Sequence, residues 1–232
     1  MKSVIVDFRI CKKSEDTLKK LGYNIVKTEP DPDVLQPVCG HPDMVMCKIS
    51  DHIFVTKSTI CGFLSQKFTE CKFILGESEL SAKYPYDIAF NCARVGNSLF
   101  CYEKYTDKAI LKYCNEHHIK ILNTKQGYAK CSICIISDKA IITSDKNIFN
   151  TAKDNNIDVL LTENKGIDLD GFSEGFIGGA TGLIEKDLLA VNGNIKLHKD
   201  YNRIKEFCLK YGVHIISLSD EPITDIGTII RL

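Results

Sequence analysis

Asp43-MVMCKISDHIFV-Thr56 and Lys130-CSICIISDKAII-Thr143 align without a gap at an offset of 87 residues. Both carry Ile-Ser-Asp at the centre and close on threonine. Apolar runs rich in Val, Ile and Phe on either side of a tight Ser-Asp turn predict a β-hairpin in each. A third copy, Asp87-IAFNCARVGNSLFC-Tyr102, lies midway and turns at Val95-Gly96-Asn97. A fourth, looser copy, Glu174-GFIGGATGLIEKDLLA-Val191, turns near Glu185 to Asp187. Successive copies start about 44 residues apart, within the range of propeller blades and solenoid units.

The segment after each hairpin repeats too. A polar residue opens a short amphipathic helix, and a brief strand succeeds it. Examples are Thr106-DKAILKYCNEHH then Ile119-KILN, and Ser144-DKNIFNTAKDNN then Ile157-DVLLT. Asp200-YNRIKEFCLKYG then Val213-HIISL has the same form, as has Ser58-TICGFLSQKF then Lys72-FIL. The unit is β-β-α-β. A fifth unit is split between the ends of the chain: Asp225-IGTIIRL supplies its first strand, and Ser3-VIVDF, Ser14-EDTLKKLG and Tyr23-NIVKT supply the rest. An open array would leave apolar edge strands unpaired, whereas a ring buries them. The expectation is one α/β domain over residues 1–232, a five-bladed α/β propeller with pseudo-fivefold symmetry.

Composition bounds the function. With 232 residues and 44% hydrophobic content the chain can build a core without disulfides. Lys+Arg 30 balance Asp+Glu 30, which argues against a broad basic face and so against nucleic acid as a partner. No apolar run approaches the roughly 18–20 residues of a membrane span. Asp7 interrupts the amino terminus before a secretory core could form, so a cytoplasmic protein is expected. Eleven cysteines, an odd number, fit a reducing compartment in which most are small buried hydrophobes.

In such a ring the residues opening each unit face one shared mouth: Asp43, Asp87, Lys130, Glu174 and Asp225, with neighbours such as Asn91. Capping of the preceding turn explains any single one of these carboxylates; their recurrence fits a site that perturbs proton affinities. In Gly40-His41-Pro42-Asp43, an extended segment would point His41 and Asp43 to the same side, a pairing suited to general acid/base work. In Gly127-Tyr128-Ala129-Lys130-Cys131-Ser132, a cysteine stands at a strand entrance beside a lysine whose charge would favour the thiolate. Cys92 is the second choice of nucleophile, while Cys47, Cys101, Cys114, Cys134 and Cys208 read as core. Only Cys131 and Cys134 have C-x-x-C spacing, with no partner pair, so no metal is expected. Gly175 to Gly182 lacks the lysine and following helix of a phosphate loop and reads as a strand stripped of side chains for close approach.

Five such units with His and Cys at the centre resemble the pentein, or guanidino-group-modifying, fold of arginine and agmatine deiminases, dimethylarginine hydrolases and amidinotransferases. Gly40-His41-Pro42-Asp43 looks like the G-H-x-D segment of agmatine deiminases, and Gly127 to Cys131 resembles the segment that carries their nucleophile. GYAKCS, GFIGGA and the terminal DIG also resemble an uncharacterised clostridial group of that fold. The resemblance implies a cysteine-dependent hydrolase of guanidines or amidines that needs no cofactor, with Cys131 as nucleophile and His41 as acid/base. Asp43, Asp87 and Asp225 would hold a small cationic guanidino-type ligand. In the catalytic families the nucleophile lies in the last repeat, which here has no cysteine. A non-catalytic member, the ribosome anti-association factor, supplies the alternative of a binding protein.

Overall fold

In the computed structural model, which describes residues 2–232, the repeat appears as five copies of one strand order. The chain begins with β1 (Ser3–Val6), α1 (Lys12–Lys20) and β2 (Asn24–Lys27). A helical turn, α2 (Pro42–Val45), leads into the hairpin β3 (Met46–Ser50) and β4 (Ile53–Thr56), then α3 (Ser58–Lys67) and β5 (Lys72–Leu75). The next unit comprises β6 (Ala93–Val95), β7 (Ser98–Cys101), α4 (Lys108–Glu116) and β8 (Lys120–Asn123). A second helical turn, α5 (Ala129–Ser132), precedes β9 (Ile133–Ser137), β10 (Ala140–Thr143), α6 (Lys146–Asp154) and β11 (Asp158–Leu161). After β12 (Ile167–Asp168) come β13 (Thr181–Glu185), β14 (Leu188–Val191), α7 (Tyr201–Lys210) and β15 (His214–Ser217). The chain closes with β16 (Ile223–Thr224) and β17 (Ile230–Arg231).

Each three-stranded sheet has an antiparallel hairpin and a third strand parallel to the hairpin's second. The parallel pairing needs a crossover, which the intervening helix provides. The two chain ends do form one unit, since β17 pairs antiparallel with β1 (Val4 opposite Arg231) and β1 pairs parallel with β2. The first strands of the sheets pack in sequence, β3 on β6, β6 on β9, β9 on β13 and β13 on β17. Lys48 on β3 donates its Nζ to the Arg231 carbonyl of β17 at 2.9 Å.

Local chemistry accounts for the elements. Asp107 and Asp145 cap α4 and α6 by accepting from the amides of Ala109 and Ile148 at 2.8 Å. Helix α4 has one apolar face, with Ile110 and Cys114, buried in the core. Phe54, Phe90 and Phe100 are wholly buried, each worth about 1.5–3 kcal/mol of apolar transfer. All eleven cysteines are free and eight are buried, among them Cys47, Cys101, Cys114, Cys134 and Cys208, the five read as core from the sequence.

Two differences from the sequence reading matter. The first strands begin later than the repeat implies, because residues 42–45 and 129–132 are helical turns. Pro42 has no N–H to give a sheet and a φ already suited to the first helical position, so it starts a turn. A further two-stranded sheet, β12 with β16, was not anticipated; beyond it Asp225 donates its amide to the Asp168 carbonyl at 2.9 Å. No helix among the described residues is long and apolar enough to cross a membrane.

Candidate functional site

The helical turns α2 and α5 meet in the interior, and Asn91 joins them. Its Oδ1 accepts from the amides of Lys130 (2.7 Å) and Cys131 (3.2 Å). Its Nδ2 donates to Cys131 Sγ (3.2 Å) and to the Asp43 carbonyl (3.3 Å). Cys131 Sγ donates to Asp43 Oδ2 at 3.1 Å, and Thr228 Oγ1 donates to the same oxygen at 2.7 Å. Lys130 Nζ in turn donates to Thr228 Oγ1 at 3.1 Å. Ligand atoms of His41, Asp43 and Cys131 all lie within 4.8 Å of one another.

His41 stands between two carboxylates. Its Nδ1 is 3.8 Å from Asp225 Oδ1 and its Nε2 is 3.9 Å from Asp7 Oδ2, both beyond hydrogen-bond reach. Both ring nitrogens and Asp43 Oδ1 are therefore buried without a hydrogen-bond partner. Asp7 is fixed by Arg9, whose Nε approaches to 2.9 Å and Nη2 to 2.5 Å. Asp225 accepts from the amides of Phe176 (2.8 Å) and Gly227 (3.0 Å). Burial pushes the Asp225 carboxyl above its ordinary range; His41 opposes that shift and Asp43 adds to it. Burial also pushes the Cys131 thiol well up, with the charges of Asp43 and Asp225 in the same direction.

The backbone around Gly227 is shaped by this packing. Gly227 has φ +68°, and a side-chain carbon there would collide with His41. Thr228 comes next at φ +76°, a strained conformation for a β-branched residue, and its bond to Asp43 ties the strained segment to the cluster.

Five residues singled out from sequence are thus gathered: Cys131, His41, Asp43, Asn91 and Asp225. His41 keeps an extended backbone as the residue before the helical turn α2, and Asp43 lies on that turn rather than on the extended segment expected for both. Lys130 departs from its expected role. Its amine is spent on Thr228 and the Ile133 carbonyl, and the neighbouring thiol is raised rather than lowered. Asp87 is buried and accepts from Tyr128 Oη at 2.6 Å, at the edge of the cluster. Glu174 is exposed and makes no hydrogen bond or ion pair with these groups among the described residues, so the expected shared mouth does not include it. Cys92 is buried near Thr106, with its thiol well above the ordinary range through burial. The sequence reading missed Asp7 and Thr228. An aspartate ending the apolar strand Ser3-VIV, and a threonine after Gly227, were the only signals available.

One nitrogen, one oxygen and one sulfur within 4.8 Å could also hold a metal ion, an arrangement that Cys spacing did not anticipate. Beside the cluster, three rings stand in a row, Tyr84 to Tyr128 at 5.7 Å and Tyr128 to Phe176 at 6.4 Å between centroids. Tyr128 immediately precedes α5, and Phe176 is tethered through its amide to Asp225.

A family model described as a family of unknown function (DUF6873) matches residues 5–230. No curated protein matches the sequence. Among solved structures, a dimethylarginine dimethylaminohydrolase from Pseudomonas aeruginosa complexed with citrulline is similar at TM-score 0.58 and 8% identity, covering 100% of this chain and 99% of that one. An inosamine-phosphate amidinotransferase from Streptomyces griseus is similar at TM-score 0.55 and 12% identity, with coverage of 94% and 88%. A C. jejuni agmatine deiminase with substrate bound gives TM-score 0.53 and 8% identity, with coverage of 94% and 87%. At such identities the likeness is one of fold alone.

Proposed function

The chain belongs to the DUF6873 family, whose function is unknown, and from the site and the likeness of fold we propose that it is a hydrolase acting on a C–N bond of a guanidino or amidino compound. The observation that carries this reading is the Cys131 thiol donating to Asp43 at 3.1 Å with His41 beside both. We read the five sheets as the blades of a single propeller domain, supported by the sequential packing of their first strands and by the Lys48 to Arg231 bond.

In this mechanism the cationic substrate lies against Asp225 and Asp43, with Asp87 and the Tyr84, Tyr128 and Phe176 rings along its entry. Its positive charge offsets the field that holds the thiol protonated. Cys131 passes its proton to Asp43 Oδ2 as sulfur bonds the amidino carbon. The adduct breaks a C–N bond, and the departing amine takes a proton from His41. Water then adds to the same carbon and returns a proton to His41. The C–S bond breaks, the sulfur regains its proton from Asp43, and a urea-type product leaves, giving its extra proton to water, from which the amine released earlier takes it as ammonium. Asn91 positions Cys131 throughout.

A second reading, a non-catalytic binding protein of the same fold, is favoured by one observation. His41, Asp43, Cys131 and Asp225 are all buried. Incubation with agmatine, arginine and methylated arginines, with assay of ammonia, amine and urea-type products, separates the two. Turnover by the wild type that is lost in Cys131→Ser is the expected result. Saturable binding of these compounds without product establishes the second reading, and activity surviving in Cys131→Ser removes the mechanism.

A further inference from the structure

A cavity of about 440 Å³ lies among the first strands of all five three-stranded sheets, bounded by residues of β3, β6, β9, β13 and β17. Its size falls within the range of small-molecule sites. Five cations line it: Arg231 is paired with Glu185 and Lys186 is exposed, while Lys48, Arg94 and Lys130 are partly buried and none of these three is paired with a carboxylate among the described residues. Their acceptors are all neutral oxygens. Lys48 Nζ bonds the Arg231 carbonyl, and Lys130 Nζ bonds Thr228 Oγ1 and the Ile133 carbonyl. Arg94 bonds the carbonyls of Gly96 and Ile49 and the Asn97 side-chain oxygen.

The carboxylates at this cavity do not neutralise them. Glu185 is engaged by Arg231 at 2.7 Å, and also by Lys2 and Tyr23. Asp51 and Asp138 are at the rim, on the turns of their hairpins. Partly buried charges left with neutral partners are costly, and a bound counter-charge relieves that cost. Burial and the nearby Arg231 already weaken the proton affinity of Lys48, while Asp51 acts against that shift.

We propose that this cavity is a binding site for a small multivalent oxyanion, a ligand bearing two or more carboxylate or phosphate groups. It adjoins the acidic cluster around Cys131 through Thr228, which lines the cavity and bonds Asp43, but the charge of that cluster suits a cation, so the two sites take ligands of opposite sign. Arg94 supplies a planar donor for paired oxygens, and Lys48 and Lys130 supply point charges.

The test is isothermal titration calorimetry of the wild-type protein with citrate and with pyrophosphate, each against sodium chloride at matched ionic strength. The expected result is one saturable site for at least one of the two. Affinity should weaken at least tenfold in Lys48→Met and Arg94→Gln and stay unchanged in Lys210→Gln, an exposed lysine elsewhere. Preference between citrate and pyrophosphate assigns carboxylate or phosphate as the natural group. Should the cavity variants misfold, the wild type still decides the matter. The bound anion should slow acetylation of Lys48 relative to Lys210, read by mass spectrometry. Heats equal to those of sodium chloride, equal affinity in folded cavity variants, or no protection of Lys48 would overturn the proposal.

Discussion

Gly40-His-Pro-Asp-Met-Val45 and Gly127-Tyr-Ala-Lys-Cys-Ser132 occupy the same place in two repeats. Each is a glycine and one further residue leading into a four-residue helical turn, succeeded by a five-residue strand. The backbone is repeated, yet the side chains are complementary. Asp43 has Lys130 as its counterpart, His41 has Tyr128, and Met44 has Cys131. A scaffold of repeats can therefore divide one chemistry between copies: one turn carries the proton-handling groups, and the other carries sulfur. Asn91, from the unit between them, holds the two turns together.

The largest effect should come from removing the sulfur. Cys131→Ser is expected to lower turnover of any guanidino substrate by at least about 10³-fold, measured as kcat, with the fold retained by circular dichroism. Asp43→Asn should cost about 10²–10³-fold in turnover while acting in the opposite sense on the resting thiol. With the Asp43 charge gone, one cause of the raised Cys131 pKa is removed, so alkylation by neutral iodoacetamide should reach half its maximal rate at a lower pH. An unchanged pH profile would show that Asp43 does not act on the sulfur.

Next in size is the clamp between the turns. Asn91→Ala leaves the amides of Lys130 and Cys131 buried without their acceptor and should cost about 1–3 kcal/mol of stability in urea unfolding, along with activity. A smaller effect concerns pH. Burial pushes the thiols of Cys114 and Cys134 up to about 11. In the unfolded chain a thiol ionises near about pH 8.5. The folded values lie above the unfolded one, so this stabilisation is complete below about pH 8.5 and is lost as the pH climbs toward and past 11. Thermal unfolding midpoints should fall steadily above about pH 8.5, and a flat profile well into the alkaline range would contradict the burial of these thiols.

The repeat was legible because a β-β-α-β unit imposes its own periods, alternation in the hairpin and a helical stripe after it, wherever it recurs. The turns α2 and α5 were not. Four residues on an apolar run carry no period that separates a helical turn from a strand start. His41, Asp43 and Cys131 were readable from their glycine-led segments. Asp7 and Thr228 were not, because they reach the cluster only when residues 225–228 and the amino-terminal strand close against α2. Glu174 was placed in the mouth by its position in the repeat, but the fourth unit has glycines where the others have side chains, and its carboxylate stays in solvent.

The central claim is that Cys131 is a nucleophile directed at cationic amidino groups. Chloroacetamidine and chloroacetamide are close in size, and each alkylates a thiolate with loss of chloride; only the first carries the amidinium charge. Peptide mass spectrometry after brief exposure to each should show Cys131 modified at least tenfold faster by the amidine, with no such preference at exposed Cys11. Equal rates at Cys131, or no modification there while Cys11 reacts, would contradict the account.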